Sequence, residues 1–415
     1  MRFKYIILAM AVVLLMLIVS SGAFAYDQYE NPIRVQIGTS VHTVKADSGN
    51  YQVLDEQGNV VQSVTQGKSV ELQPGQRFSS VNGFGRFLYE DKSYRGDAYW
   101  IDGNMVNILS MEQYLYSVVM REIGGYAPSL ETLKAQAVAS RSYACNRINN
   151  PRDEHFDIYS GSSDQAYGGY SDEKYSNDSN SVSARVRDAV NNTAGLVLYY
   201  NGNLANTVYC ANAGGHTESA STVWGGNYPY MVGVSSPQDG QSFVADDGGT
   251  QTLKTPTNYY WTKTMLFSQT ALKVEASTGK TIGTLEEVKV EHDGAGNYVT
   301  QITFEGSGGT VSLSGEEVRS ILSLYSGSFD VMVGTSLSAY QSFGTRLIEG
   351  ADFDSLLNPT GQYVTFVGHG YGHCVGMSQW GACVMGYQGK KYYEILDYYY
   401  NQGRGDDTLT IEKYR

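Results

Sequence analysis

Between about Pro32 and Ile108, apolar and polar residues alternate in short runs broken by Gly, Asn and Asp, as in Asn50-Tyr-Gln-Val-Leu-Asp-Glu-Gln-Gly-Asn. A period of two puts successive side chains on opposite faces, so this stretch predicts a series of short strands. At Ser110 the period lengthens. Ser110 and Gln113 form a capping-box pattern, and Leu115, Val118 and Glu122 fall on one helical stripe that Gly124-Gly125 ends. A second helix is expected from about Ser129, with Leu130, Leu133, Ala137, Ala144 and Ile148 on its inner face.

Residues 150–182 are rich in Ser, Asp, Gly and Tyr with weak periodicity, which predicts a long loop and a candidate site wall. The run from Leu196 to Tyr200, then Asn201-Gly202, then Leu204 to Cys210 predicts a hairpin, because Asn-Gly supplies the positive φ angles of a type I′ turn. Two further strands are expected around Asp293-Gly294 between Thr284 and Leu313, and Ser314 with Glu317 caps a following helix. There is no internal repeat. These elements define an α+β protein. Its expected parts are a β-rich region over residues 26–108, a mixed helical and β core over 109–240, an inserted α/β lobe over 241–350 and a segment over 351–415 that completes the core with a glycine-rich loop and helices.

Residues 1–25 stand apart from this pattern. Arg2 and Lys4 precede an apolar run from Tyr5 to Val19, and Ala23-Phe24-Ala25 has the small-x-small form that signal peptidase reads. The segment is also long enough to span a bilayer, so a cleaved signal and a retained anchor both fit, and either predicts export. Charged residues make up 17% and hydrophobic ones 41% of the 415, with 34 Tyr, 47 Gly and 8 Pro, which excludes a disordered, collagen-like or polytopic membrane protein. A net charge of −13 provides no broad cationic footprint, so nucleic acid is not an expected partner. Four cysteines, Cys145, Cys210, Cys374 and Cys383, are widely spaced with no CxxC pair. In an exported chain they permit disulfides in three connectivities and give no sign of structural zinc.

Three constellations carry candidate chemistry. Glu122 sits at a helix C-terminus, against the negative end of the macrodipole, on a stripe that faces apolar surroundings; both effects favour its protonated form, as a general acid in glycoside cleavage requires. The second is Gly368-His-Gly-Tyr-Gly-His-Cys-Val-Gly-Met-Ser-Gln-Trp-Gly-Ala382. His369 and His373 have a helical metal-ligand spacing, but Gly368, Gly370 and Gly372 argue against a helix there. Ser378 is not a nucleophile elbow, since Trp380 takes the second glycine position, and Val375 breaks a dinucleotide-binding GxGxxG. What remains is a glycine-permitted loop that brings backbone and two imidazoles close to a neighbour. The third is Asn212-Ala-Gly-Gly-His-Thr-Glu-Ser219, in which His216 and Glu218 are the candidates. Asp164-Gln-Ala-Tyr-Gly-Gly169 adds amide and phenol groups suited to sugar hydroxyls.

Together these stretches resemble the SpoIID/LytB family of cell-wall proteins. The resemblance rests on Met111-Glu-Gln-Tyr-Leu-Tyr-Ser-Val-Val-Met-Arg-Glu122, Leu133-Lys-Ala-Gln-Ala-Val-Ala-Ser-Arg-Ser-Tyr143, Gln165-Ala-Tyr-Gly168, Gly214-Gly-His-Thr-Glu218, Val223-Trp-Gly-Gly226, Ser314-Gly-Glu-Glu-Val-Arg-Ser-Ile-Leu322 and the Gly370–Ala382 run. It implies a lytic transglycosylase that cleaves peptidoglycan glycan strands stripped of stem peptides. Glu122 would be the single acid and base, and Gln165, Tyr167, His216, His369, His373 and Gln379 would line the glycan groove. It implies no cofactor. Expected partners are the glycan strands, and for sporulation members a second wall-lytic enzyme, an amidase or endopeptidase, together with a membrane anchoring protein. A non-catalytic amidase enhancer is the alternative in another class, and a hydrolase with Asp157, Asp164 or Glu218 as second carboxylate is a third. The chain departs from the family in three places. Ile123-Gly-Gly-Tyr-Ala-Pro128 replaces a usual Met-Pro, Cys374 replaces a usual Gly with Cys383 as a possible disulfide partner, and His155 stands without the cysteines that accompany a metal-binding His in some relatives.

Overall fold

The computed structural model describes residues 32–173, 181–246, 251–256, 258–293, 298–334 and 362–414. The N-terminal apolar run, the Gly294 turn and part of the expected lobe lie outside the described residues. Among those described, no helix is long and apolar enough to cross a membrane. The chain is α+β, as its periodicities predict, and divides into two compact units: residues 1–125 with 140–196, and residues 126–139 with 197–415.

The first unit opens with ten strands: β1 Pro32–Gly38, β2 Thr43–Ser48, β3 Tyr51–Leu54, β4 Val60–Val64, β5 Ser69–Glu71, β6 Gln76–Ser80, β7 Arg86–Tyr89, β8 Lys92–Arg95, β9 Asp97–Ile101 and β10 Asn104–Ser110. With β11, Ile158–Tyr159, they form a seven-stranded sheet in the order β11-β1-β10-β9-β6-β3-β4 and a four-stranded sheet in the order β5-β2-β7-β8. The alternation in β1 buries Ile33 and Val35 and leaves their neighbours half-exposed, as a one-sided strand should. Phe78 on β6 stacks on Tyr51 of β3 at 4.2 Å and meets Phe87 of β7 edge-on at 6.5 Å, so aromatic packing joins the two sheets. Asp97 is completely buried, and its charge is met by Arg77, the Ser79 hydroxyl and the Ser80 N–H.

Strand β10 runs directly into helix α1, Met111–Val119, because Ser110 ends the strand as an N-cap whose hydroxyl accepts the Gln113 N–H. The reciprocal half of the capping box is not made: Gln113 Oε1 is buried with no hydrogen-bond partner among the described residues. Helix α2, Leu130–Asn149, starts at the expected place, with the Ser129 hydroxyl capping the Thr132 N–H. Its expected single inner face is too narrow a description. Residues 135–145 are buried on all sides, including Gln136 and Arg141, which is the pattern of a helix surrounded by protein. Arg141 is satisfied by a two-point contact with Glu112 and by the Leu196 and Val190 carbonyls.

In the second unit the predicted hairpin appears as β12, Leu196–Tyr200, and β13, Asn203–Leu204, with Asn201 and Gly202 at φ of 48° and 76°. The run from Leu204 to Cys210 is not one strand, however. Tyr209–Cys210 forms a separate β14 that pairs in parallel with Met377–Ser378 of the glycine-rich motif. Backbone pairing with a distant segment has overridden local continuity. A large apolar cluster, from Trp261 to Phe366, gathers the strands Tyr260–Leu266, Leu285–His292, Val299–Gly306, Gly309–Leu313, Phe329–Gly334 and Tyr363–His369 with the helices Phe267–Thr278 and Gly315–Leu322. The second of these helices has the expected complete capping box between Ser314 and Glu317. The region from Thr284 to Leu313 holds three strands, one more than expected, because Ser307-Gly308 makes a second tight turn.

Candidate active site

In the first unit, helix α1 gives way at Met120 to a π-helical turn, Met120–Gly124, that contains Glu122. The stripe through Leu115 and Val118, both fully buried, therefore does not continue unbroken to the acid. A π turn bonds i to i+5, so it inserts one residue into the helical ladder and re-aims the side chains beyond it. Glu122 is half-buried, and its Oε1 accepts the Ala166 N–H at 2.9 Å. Arg121 and Lys134, the obvious cations nearby in sequence, are paired with Asp172 and Glu131.

Gln165 and Tyr167 flank Ala166 but do not line a groove. Gln165 is 1% exposed, accepts from the Tyr114 hydroxyl at 3.0 Å and donates to the Ser140 carbonyl at 3.2 Å. Tyr167 is 4% exposed, donates to Asn107 Oδ1 at 2.6 Å and packs on Tyr114 at 5.0 Å between ring centres. These side chains are engaged inside the unit and hold the Ala166 N–H against Glu122. Buried and hydrogen-bonded in this way, the Gln165 and Tyr167 side chains are engaged within the unit where sugar contacts were expected. Two of the other carboxylates considered are also engaged. Asp157 receives the Arg34 guanidinium and N–H, and Asp164 receives Arg152, the Tyr143 hydroxyl and the Tyr159 N–H. His155 pairs with Asp102 at 2.9 Å beside the exposed Glu154.

In the second unit, the Gly368–Ala382 loop meets the other glycine-rich motif, Asn212–Ser219. Asn212 and Tyr371 exchange backbone hydrogen bonds at 3.2 and 2.8 Å, and the Glu218 N–H donates to the Cys374 carbonyl at 2.7 Å. A Cβ on Gly214 (φ 72°) would fall 2.7 Å from the Cβ of His369, and one on Gly370 (φ 79°) would fall 2.7 Å from the Asn212 carbonyl. Only glycine allows both the conformation and the approach.

His216 Nδ1 and Glu218 Oε1 stand 3.9 Å apart, an ion-pair distance beyond hydrogen-bond reach, and both atoms are buried with no hydrogen-bond partner among the described residues. Burial pushes the Glu218 carboxyl up to about 7, and the adjacent carboxyl raises His216. His369 ends its strand with its ring against Tyr259 and Tyr260, and burial lowers its basicity. His373 packs on the exposed Trp224 at 4.9 Å and accepts the Val375 N–H at Nδ1, while burial pushes it down to about 4, so it is a neutral imidazole near pH 7. Gln379 is buried at the start of the helix Gln379–Tyr387, where its amide donates to Gln136, so it too is engaged internally and does not line a groove. Ser378 caps that helix through the Gly381 N–H and donates to Asp239 at 2.6 Å, an arrangement without the strain or exposure of a nucleophile.

Sequence reasoning missed Asp239. It is fully buried, accepts from Ser378 and from the Gly215 N–H, and so ties the two motifs together; burial raises it to about 6. The only local signal is Pro237 opening the short 3-10 turn that carries it. The cysteines also depart from expectation. All four are free and buried, and Cys374 and Cys383 lie in different apolar clusters, which rules out the suggested pairing between them in this structure.

Sequence comparison supports a role related to the cell wall for this α+β chain. The family model SpoIID, described as stage II sporulation protein, matches residues 102–200 and, with the relatives below, supports reading the chain as a member of that family. The chain is 28% identical over 377 residues to the amidase enhancer of Bacillus subtilis (strain 168), a match covering 86% of this chain and 50% of that protein. It therefore spans about half the length of that relative. It is 26% identical over 309 residues to stage II sporulation protein D of the same organism, covering 71% of this chain and 74% of the relative. The corresponding protein of Bacillus amyloliquefaciens is 26% identical over 317 residues, covering 73% and 76%.

Proposed function

We propose that this chain is an exported lytic transglycosylase acting on denuded peptidoglycan strands, with Glu122 as its acid and base. The match to the SpoIID family supports the coarser statement that its role is related to the cell wall. The observation that supports the finer reading is the Ala166 N–H donated to Glu122 Oε1 at 2.9 Å, which holds this carboxyl group on the backbone of the Gln165-Ala-Tyr167 segment. In the first step the acid protonates the glycosidic oxygen between N-acetylmuramic acid and N-acetylglucosamine. The resulting carboxylate, stabilised by the same N–H, then takes the proton of the muramic acid's primary hydroxyl as that oxygen closes an anhydro ring. The nucleophile belongs to the substrate, so the chemistry needs no second carboxylate to activate water, unlike paired-carboxylate hydrolases. The engagement of Asp157 and Asp164 by arginines accords with a single acid.

The test is the mass of the products when the full chain is incubated with purified glycan strands lacking stem peptides. Anhydro-muramic ends are expected. Reducing muramic acid ends would instead assign a hydrolase, and stimulation of an amidase with no glycan cleavage would assign the non-catalytic role that the amidase enhancer's name describes.

A further inference from the structure

Cys210 ends β14, which pairs in parallel with Met377–Ser378, and Cys374 lies just ahead of that partner strand in the loop that Asn212 and Tyr371 hold in place. Cys210, Ala213 and Cys374 form a small apolar cluster of their own, with the cysteines 4% and 0% exposed. The two cysteines therefore pack within one buried cluster beside the parallel pairing of Tyr209–Cys210 with Met377–Ser378. Cys374 has a φ of 62°, a left-handed conformation uncommon for residues other than glycine, and the Cβ of Cys210 would come within 3.2 Å of a Cβ on Gly372. The other cysteines are placed elsewhere: Cys383 packs with Phe243, Ala245 and Val384, and Cys145 belongs to the first unit.

We propose that Cys210 and Cys374 are a disulfide-forming pair that closes when the exported chain meets a disulfide oxidant, either a small-molecule disulfide such as glutathione disulfide or a protein dithiol oxidase. One cysteine thiolate attacks the oxidant's disulfide and displaces a thiolate. The second cysteine thiolate then attacks the mixed disulfide and displaces the other. One S–S bond breaks in the oxidant and one forms in the protein; two electrons pass from the cysteines to the oxidant, and the two thiol protons end on its two released thiols. The neighbouring Cys374 thiol, and then burial, raise the Cys210 thiol well above its ordinary range, which disfavours the attacking thiolate in the finished fold, so closure belongs to the stage before the cluster is sealed.

The bond would lie under both glycine-rich motifs. The Cys374 carbonyl already accepts the Glu218 N–H, and Gly214 already touches the His369 backbone. A covalent link at this point would hold the segment carrying His216 and Glu218 against the loop carrying His369 and His373. The pairing is independent of the glycan chemistry and would stand if that chemistry were refuted.

The experiment compares the full chain folded in a glutathione disulfide and glutathione buffer with the same chain folded under reductant. Each sample is unfolded in the presence of N-ethylmaleimide, digested and analysed by mass spectrometry without reduction. The oxidised sample should yield the Cys210 and Cys374 peptides joined and two hydrogen atoms lighter than their sum, with Cys145 and Cys383 alkylated. Its thermal midpoint should exceed that of the reduced sample by on the order of 5–10 °C. The joined peptide should persist in Cys383→Ala. Four alkylated cysteines in the oxidised sample, or Cys374 joined to Cys383, would overturn the assignment.

Discussion

Replacing Glu122 by Gln separates chemistry from folding at the proposed acid. The amide keeps an oxygen where Oε1 accepts the Ala166 N–H at 2.9 Å, so this hydrogen bond is retained and the change in stability should be within about 1 kcal/mol, small beside the stability of a domain. The catalytic loss is of another size. General acid or base assistance is worth roughly 10²–10⁴-fold, and Gln can supply neither the proton at the first step nor the acceptor at the second. A fall of at least about 10³-fold in the rate of anhydro-muramic product formation is expected, equivalent to about 4 kcal/mol of barrier. The assay is product mass against time on denuded glycan, with a urea midpoint on the same preparation. Anhydro products formed at an undiminished rate by folded Glu122→Gln would refute the assignment. So would a loss of activity matched by an equally large loss of stability, because the acid would then be a structural residue.

Tyr167→Phe removes the hydroxyl that donates to the buried Asn107 Oδ1 and should cost about 1–3 kcal/mol by urea unfolding, with reduced turnover because the Ala166 N–H loses its support. Gly370→Ala puts a Cβ 2.7 Å from the Asn212 carbonyl at a φ of 79°, and a loss of about 2–4 kcal/mol in the same assay is expected. Asp239 at about 6 and Glu218 at about 7 lie above their ordinary values of 3.8 and 4.5, so in this range the folded state binds more protons than the unfolded one and stability due to these groups falls as pH rises from about 4 to 7. His373 at about 4, below its ordinary 6.5, acts in the opposite sense over pH 4 to 6.5. Asp239→Asn and Glu218→Gln together should therefore tilt the stability profile upward with pH across that window relative to the unaltered chain, as read from urea midpoints at pH 4.5 and 7, and an unchanged profile would contradict these placements.

Much of the local structure was legible because it is decided by neighbours in sequence. The Ser110 and Ser314 caps, the Asn201-Gly202 turn and the start of the helix at Leu130 all depend on short-range hydrogen bonds and φ preferences. The illegible features depend on distant partners. Tyr209–Cys210 left its expected strand for a pairing with Met377–Ser378, and Asp239 acquires its place from Ser378 and Gly215, far away along the chain. The site shows the same division. The glycine pattern revealed that the Gly368–Ala382 loop needed close backbone approach, but not that Asn212–Ser219 is what it meets. Likewise the amide and phenol of Gln165 and Tyr167 looked suited to sugar hydroxyls, because composition cannot reveal that Tyr114, Ser140 and Asn107 already occupy them.

The wide turn at Met120–Gly124 makes the aim of the acid a matter of chain length. Removing one residue there would let the regular ladder continue and swing every later side chain by about 100° around the axis, while the packing of Leu115 and Val118 upstream stayed as it is. A one-codon deletion is therefore a steering change more than a packing change, and homologues that differ by a single residue at this point should differ in where their carboxyl group faces.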